Sequence, residues 1–179
     1  MTAIVASEAI FLERSVTVQE HMLEPYGDAG ALRVGERLTL RELLWPMLLE
    51  SSNDAAEAVA TMQMSKKEFV SLMNDKADAL GMRQAHFDDS SGISEANTAS
   101  IEDLFLLARY LHQKRSFVLT ITEQTESPNK RWKNNNEFAT DENFRGGKTG
   151  HTTVAKDTML SLFEIDVRGT PRRLAIIVL

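Results

Sequence analysis

Thr158-Met159-Leu160-Ser161-Leu162-Phe163-Glu164-Ile165, Gly169-Thr170-Pro171 and Leu174-Ala175-Ile176-Ile177-Val178-Leu179 follow one another in the last part of the sequence. Two apolar, β-favouring runs around a turn predict a hairpin, not a helix. That decides what stands before them, Gly146-Gly147-Lys148-Thr149-Gly150-His151-Thr152. A Gly-Lys-Thr triplet invites comparison with a phosphate-binding loop, which needs Gly-x-x-x-x-Gly-Lys-Ser/Thr running from a strand into a helix. The first glycine of that pattern falls on Glu142, a negative charge where phosphate would sit. With a hairpin following as well, the nucleotide-binding reading fails on both counts.

Upstream the signals are helical. Thr2 to Leu12 has apolar helical spacing. Thr39-x-x-Glu42 and Ser65-x-x-Glu68 read as capping boxes, in which each end of the motif satisfies the other's backbone N–H. The second opens a helix with Phe69, Leu72, Met73 and Leu80 on one side, stopped by Gly81. Ser100 with Asp103 opens another, whose Ile101, Leu104, Phe105, Ala108 and Leu111 form an apolar stripe assigned to the core. Pro46, inside Leu43-Leu44-Trp45-Pro46-Met47-Leu48, is expected to kink or restart its helix. Helices first and strands last predict an α+β fold, mainly helical over 1–115 and mainly β over 116–179.

Composition narrows the function. At 179 residues and 42% hydrophobic, one globular domain is expected. A net charge of −6 argues against a nucleic-acid partner. The basic run Lys130-Arg131-Trp132-Lys133 reads as a solvated loop. Cysteine is absent and His21, His86, His112 and His151 lack ligand spacing, so neither metal nor cofactor is expected. No apolar run reaches the ~18 residues of a membrane span, and no stretch reads as a signal peptide.

Two motifs carry chemistry. Ser51-Ser52-Asn53-Asp54 gives Ser-x-Asn, and Lys148-Thr149-Gly150 follows it in the order used by active-site serine enzymes. Each triplet alone has a plain structural alternative: Ser51-Ser52-Asn53 as a helix N-cap, Lys148-Thr149-Gly150 as a turn before a strand. The flanking sequence extends the match. Tyr26-Gly27-Asp28, Leu32-Arg33-Val34-Gly35-Glu36, Leu38 to Leu44, Phe69 to Asn74, Leu80-Gly81-Met82, His86-Phe87, Ser91-Gly92-Ile93 and Ser100-x-x-Asp103-Leu104 join the two motifs. With them the chain resembles the catalytic domain of the serine D-alanyl-D-alanine carboxypeptidases, the low-molecular-weight penicillin-binding proteins of the S11 peptidase family. Only Phe117 to Glu142 matches loosely.

The resemblance implies a β-lactamase/DD-peptidase-like fold, a helical part packed on an antiparallel sheet that is incomplete here. It implies acyl transfer on peptidoglycan stem peptides ending in D-Ala-D-Ala, in the cell envelope, with β-lactams as inhibitors of an intact parent. Ser51 matches the proton-relaying hydroxyl and Asn53 the amide that holds the substrate peptide group. Lys148 and Thr149 match the groups that face the substrate's terminal carboxylate, Gly150 leaves room for a peptide along the strand edge, and the His151 N–H matches an oxyanion-hole donor. Lys156 departs from the family, which usually has glycine there.

The nucleophile motif Ser-x-x-Lys should precede both. In the family it sits just before Met-Thr-Ala, and this sequence reads Met1-Thr2-Ala3 from its start. The expectation is therefore a fragment, inactive as it stands, unacylated by penicillin and prone to aggregate. Ser127-Pro128-Asn129-Lys130, the one other Ser-x-x-Lys, carries a proline in a polar loop, so its Ser and Lys lack the one-turn helical geometry the chemistry needs. A non-catalytic peptide-binding homologue and an unrelated helical interaction domain are the competing readings.

Overall fold

The computed structural model describes residues 1–24, 27 and 29–179; Tyr26 and Asp28 of the Tyr26-Gly27-Asp28 match lie outside the described residues. The elements run α1 (Thr2–Ala9), β1 (Ser15–Thr17), β2 (Arg37–Thr39), α2 (Leu40–Leu49), α3 (Asn53–Thr61), α4 (Lys66–Leu80), α5 (Ile101–Lys114), α6 (Ser116–Glu123), β3 (Phe144–Thr152), β4 (Lys156–Val167) and β5 (Thr170–Val178). β1 and β2 make a short antiparallel ribbon, and β3, β4 and β5 an antiparallel sheet in that order. The α+β architecture expected from the sequence is present.

The β4–β5 hairpin closes with Val167 opposite Thr170, so the turn residues are Arg168 and Gly169, at φ +55° and +76°. Both central residues being left-handed is the turn that matches the twist of the flanking strands. The turn thus begins one residue before the Gly169-Thr170-Pro171 expected. In the β3–β4 hairpin, Thr152 pairs with Lys156, whose φ is +60°. A side chain there is strained, by about 1–2 kcal/mol, which gives the departure from glycine at this position a physical cost.

Both expected capping boxes form, at Thr39/Glu42 and Ser65/Glu68, and the Ser100/Asp103 helix start proves to be a third. Gly81 ends α4 at φ +78°. Other expectations differ from the structure in detail. Of the kink or restart expected at Pro46, the restart does not occur: α2 runs through Pro46, which is buried within it. The helix forgoes one N–H bond there and keeps its apolar face in the core. In α5 the expected stripe holds in part: Ala108 is buried and Leu104 and Leu111 pack on the core, whereas Ile101 and Phe105 are about half exposed and Leu107, outside the stripe, is buried. Ile101 and Phe105 line an open apolar groove with Leu106, Ala175 and Ile177 on β5. Likewise α1 ends at Ala9, short of Leu12, because Ile10 turns extended.

α3 is the axis of the core. Residues Asp54 to Ala60 are all buried, and its alanines let α1, α2 and α4 approach closely. Phe69 and Met73 of α4 and Trp132 from the loop after α6 complete the cluster. The run Lys130-Arg131-Trp132-Lys133, expected as a solvated loop, exposes its three charged residues but buries Trp132. The Trp132 indole N–H donates to the Gly30 carbonyl at 2.8 Å, and Arg131 stacks over the indole while pairing with Glu36.

Candidate active site

The first half of the site is the break between α2 and α3. The N–H groups of Glu50 and Ser52 both reach the Pro46 carbonyl, at 3.1 and 3.0 Å. Closing the helix this tightly puts Ser51 at φ +60°, the left-handed region a serine rarely adopts. Ser52 then caps α3, its Oγ accepting from the Ala55 N–H at 3.1 Å. The N-cap alternative is therefore true of Ser52, and Ser51 is left to face the cavity. Such strain persists only where the surroundings hold it. Glu50 supplies the hold: its carboxylate accepts from the Gly30 N–H at 3.0 Å and the Lys133 N–H at 2.9 Å. Gly30 lies so close to the cap that a Cβ there would stand 2.5 Å from the Ser52 Oγ.

The second half is β3. Lys148 projects into a cavity of about 390 Å³ whose wall also includes Ser51, Thr149, Gly150, Thr2, Ser90 and Asn97. Its ammonium donates to the Thr149 carbonyl at 2.6 Å. Burial lowers its pKa from the ordinary 10.5 to about 8, since a charge taken out of water costs more than its neutral form. At Gly150 a Cβ would come within 2.8 Å of the Thr158 hydroxyl, so the missing side chain lets β4 pack against the strand.

The residues singled out from the sequence fall into two groups. Ser51, Lys148, Thr149 and Gly150 share one cavity. Asn53 and His151 lie outside its wall: Asn53 opens α3, with its amide 3.6 Å from where a Gly27 Cβ would be. His151 sits on the exposed end of β3, its Nδ1 2.7 Å from the Asp157 carboxylate. Ser127 is buried in a loop with its hydroxyl bonded to Asn129 and the Trp132 N–H. Its Oγ is occupied, and Lys130 pairs with Glu126 at 3.8 Å.

Sequence reasoning did not single out Glu50, Thr122 or Asn134. Thr122 on α6 is buried and accepts the Gly147 N–H at 3.0 Å. The Asn134 amide donates to the Thr122 carbonyl at 2.8 Å. Among the described residues no group of three or more His, Asp or Glu could hold a metal, and no helix is long and apolar enough to cross a membrane.

The chain is 38% identical over 122 residues to a D-alanyl-D-alanine endopeptidase of Haemophilus influenzae, covering 64% of this chain and 42% of the relative. It is 30% identical over 152 residues to a D-alanyl-D-alanine carboxypeptidase of Escherichia coli, covering 82% of this chain and 38% of the relative. The chain thus spans less than half the length of these relatives. Among solved structures, a Mycobacterium tuberculosis D-alanyl-D-alanine carboxypeptidase superposes with a TM-score of 0.83 at 26% identity, over 99% of this chain and 70% of that one. The Streptomyces K15 DD-transpeptidase gives 0.83 at 26%, over 98% and 76%. The family profile for D-alanyl-D-alanine carboxypeptidases, Peptidase S11, matches residues 1–177, and the chain belongs to that family.

Proposed function

We propose that this chain forms the substrate-holding walls of a serine D-alanyl-D-alanine carboxypeptidase, acting on peptidoglycan stem peptides in the cell envelope. The observation that carries this is the convergence of Ser51 and Lys148-Thr149-Gly150 on one cavity, although 97 residues separate Ser51 from Lys148. The desolvated Lys148 ammonium attracts a carboxylate more strongly than an exposed lysine would, which suits the free carboxylate of a terminal D-alanine. Thr149 adds a hydroxyl beside it. Acyl transfer at such a site joins a serine oxygen to the penultimate D-alanine carbonyl as the C–N bond to the terminal D-alanine breaks. The serine's proton passes to the leaving amine, and water then cleaves the ester. In this reading Ser51 relays that proton; the family resemblance gives Asn53 the peptide group and the His151 N–H the oxyanion, although neither residue lines the cavity. Penicillins, whose carboxylate and acyl carbonyl mimic those of the peptide end, are the expected inhibitors of such an enzyme.

A second reading, binding without turnover, is favoured by Ser127, whose hydroxyl is already bonded. Two measurements on the chain separate the readings. Calorimetric titration with diacetyl-L-Lys-D-Ala-D-Ala is expected to show binding that the L-Ala-L-Ala peptide lacks. Equal affinity for both peptides would refute the site itself. D-alanine release or labelling by fluorescent penicillin would instead overturn the reading without turnover.

A further inference from the structure

We propose that Thr122 is a positioning residue that fixes which part of the β3 edge a peptide can pair with. This rests on the reading above, that β3 receives a D-Ala-D-Ala terminus. In an antiparallel ladder, neighbouring residues alternate between pointing both backbone groups at the partner strand and pointing both away. The Gly147 N–H goes to Thr122, not to β4. The register Gly147↔Ser161, Thr149↔Met159 and His151↔Asp157 therefore directs the N–H and C=O groups of Thr149 and His151 away from β4 as well. Lys148 and Gly150 direct theirs into β4. The open edge available to an added strand thus begins after Gly147, because Thr122 has closed the first outward position.

The closure is built, not incidental. The Thr122 hydroxyl donates to the Leu119 carbonyl at 3.0 Å, so its proton is committed to α6 and a lone pair faces Gly147. Gly146, at φ +98°, lets the strand approach: a Cβ there would lie 2.6 Å from the Leu119 carbonyl oxygen. At Gly147 a Cβ would meet the Ser161 Oγ at 2.5 Å. Gly146 and the buried Thr122 hydroxyl thus dock β3 onto the end of α6, and Gly147 lets β4 close on its other side, immediately before Lys148. In this arrangement Lys148 bonds the outward Thr149 carbonyl, the group a pairing peptide would need. Ligand entry must exchange that bond for one to the peptide carboxylate, and Thr122 holds the backbone still while it does.

The test compares Thr122→Val, which keeps shape and removes the acceptor, with Thr122→Ser, which keeps the acceptor. Thr122→Ala replaces the valine variant if that does not fold. Two readouts are taken: affinity for diacetyl-L-Lys-D-Ala-D-Ala, and the Lys148 titration by NMR of the 13C-dimethylated protein. Thr122→Val is expected to bind about tenfold more weakly, as for one lost hydrogen bond, with its Lys148 titration displaced and both values restored in Thr122→Ser. Unchanged affinity and titration in Thr122→Val, or a serine variant as impaired as the valine one, would overturn the proposal. If the unsubstituted chain binds no such peptide, the functional reading fails. Thr122 is then judged by the titration alone, where a displacement rescued by serine supports its role and an unmoved Lys148 ends it.

Discussion

Replacing Lys148 by methionine should make the protein more stable at neutral pH, and the gain should vanish in alkali. The buried ammonium is the reason. Its pKa falls from 10.5 to about 8 on folding, so between those values the unfolded chain binds more protons than the folded one. Stability therefore rises with pH across that window and is flat below it, where the full penalty applies. At about 1.36 kcal/mol per pH unit, complete enclosure would cost about 3 kcal/mol. Lys148 is only half-buried as a residue, and its bond to the Thr149 carbonyl returns about 1 kcal/mol. The net gain in Lys148→Met at pH 7 is then about 1–2 kcal/mol, or ~2–8 °C in the unfolding midpoint for a chain of this size. Urea unfolding of both proteins at pH 7 and at pH 10.5 measures it. A methionine variant no more stable at pH 7, or a difference unchanged at pH 10.5, would refute a desolvated lysine. The same proton links to function: peptide affinity should hold below about pH 8 and fall above it, as the ammonium that faces the carboxylate is lost.

Three further substitutions probe the other walls. Gly30→Ala places a methyl 2.5 Å from the Ser52 Oγ at a backbone φ of +92°, and should cost about 2–4 kcal/mol by thermal unfolding; a loss under 0.5 kcal/mol would show that the loop yields freely. Glu50→Ala leaves the Gly30 and Lys133 N–H groups without their acceptor, for about 2–3 kcal/mol. Glu50→Gln keeps an oxygen for one of them, so urea midpoints should rank wild type, glutamine, alanine, and any other order counts against the bridge. Asn134→Ala removes three bonds, two donated to the Thr122 and Gln124 carbonyls and one accepted from the Asn136 N–H. It should weaken peptide binding about fivefold while lowering stability by roughly 1 kcal/mol, and affinity equal to wild type would separate Asn134 from the site.

The parts of this fold that were legible in the sequence are those encoded locally. The two capping boxes, the Ser100/Asp103 helix start, the Gly81 stop and the final hairpin each depend on residues within a few positions of one another, and all form. The α5 face was harder. Ile101, Phe105 and Leu107 are equally apolar, and Leu107 is the one covered because Ile4, Ala77 and Met82 pack on it; the sequence of one helix does not contain that. Ser51 and Lys148 were found because their triplets have fixed order and chemistry, yet their meeting in one cavity is a fact of the fold. Glu50 and Thr122 carried no signal at all. Their partners are backbone N–H groups 83 and 25 residues away, which every residue type except proline supplies.

The stretch that matched the family most loosely is the one that joins the two halves of the site. Asn135 donates to the Leu49 carbonyl at 3.0 Å and Lys133 to the Glu50 carboxylate at 2.9 Å, next to Ser51. Between them, Asn134 donates to the Thr122 carbonyl at 2.8 Å, and Thr122 accepts from Gly147, next to Lys148. Three consecutive residues thus tie the end of α2 to the end of α6 and, through it, to β3. Backbone groups and short amides make these ties, so many sequences could span the gap while only a few side chains, Trp132 foremost, must be buried to anchor it. Loose sequence similarity there is consistent with a strict geometric role. The loop holds the Ser51 turn and the Lys148 strand at one separation, and its contribution is read in their positions, not in its own chemistry.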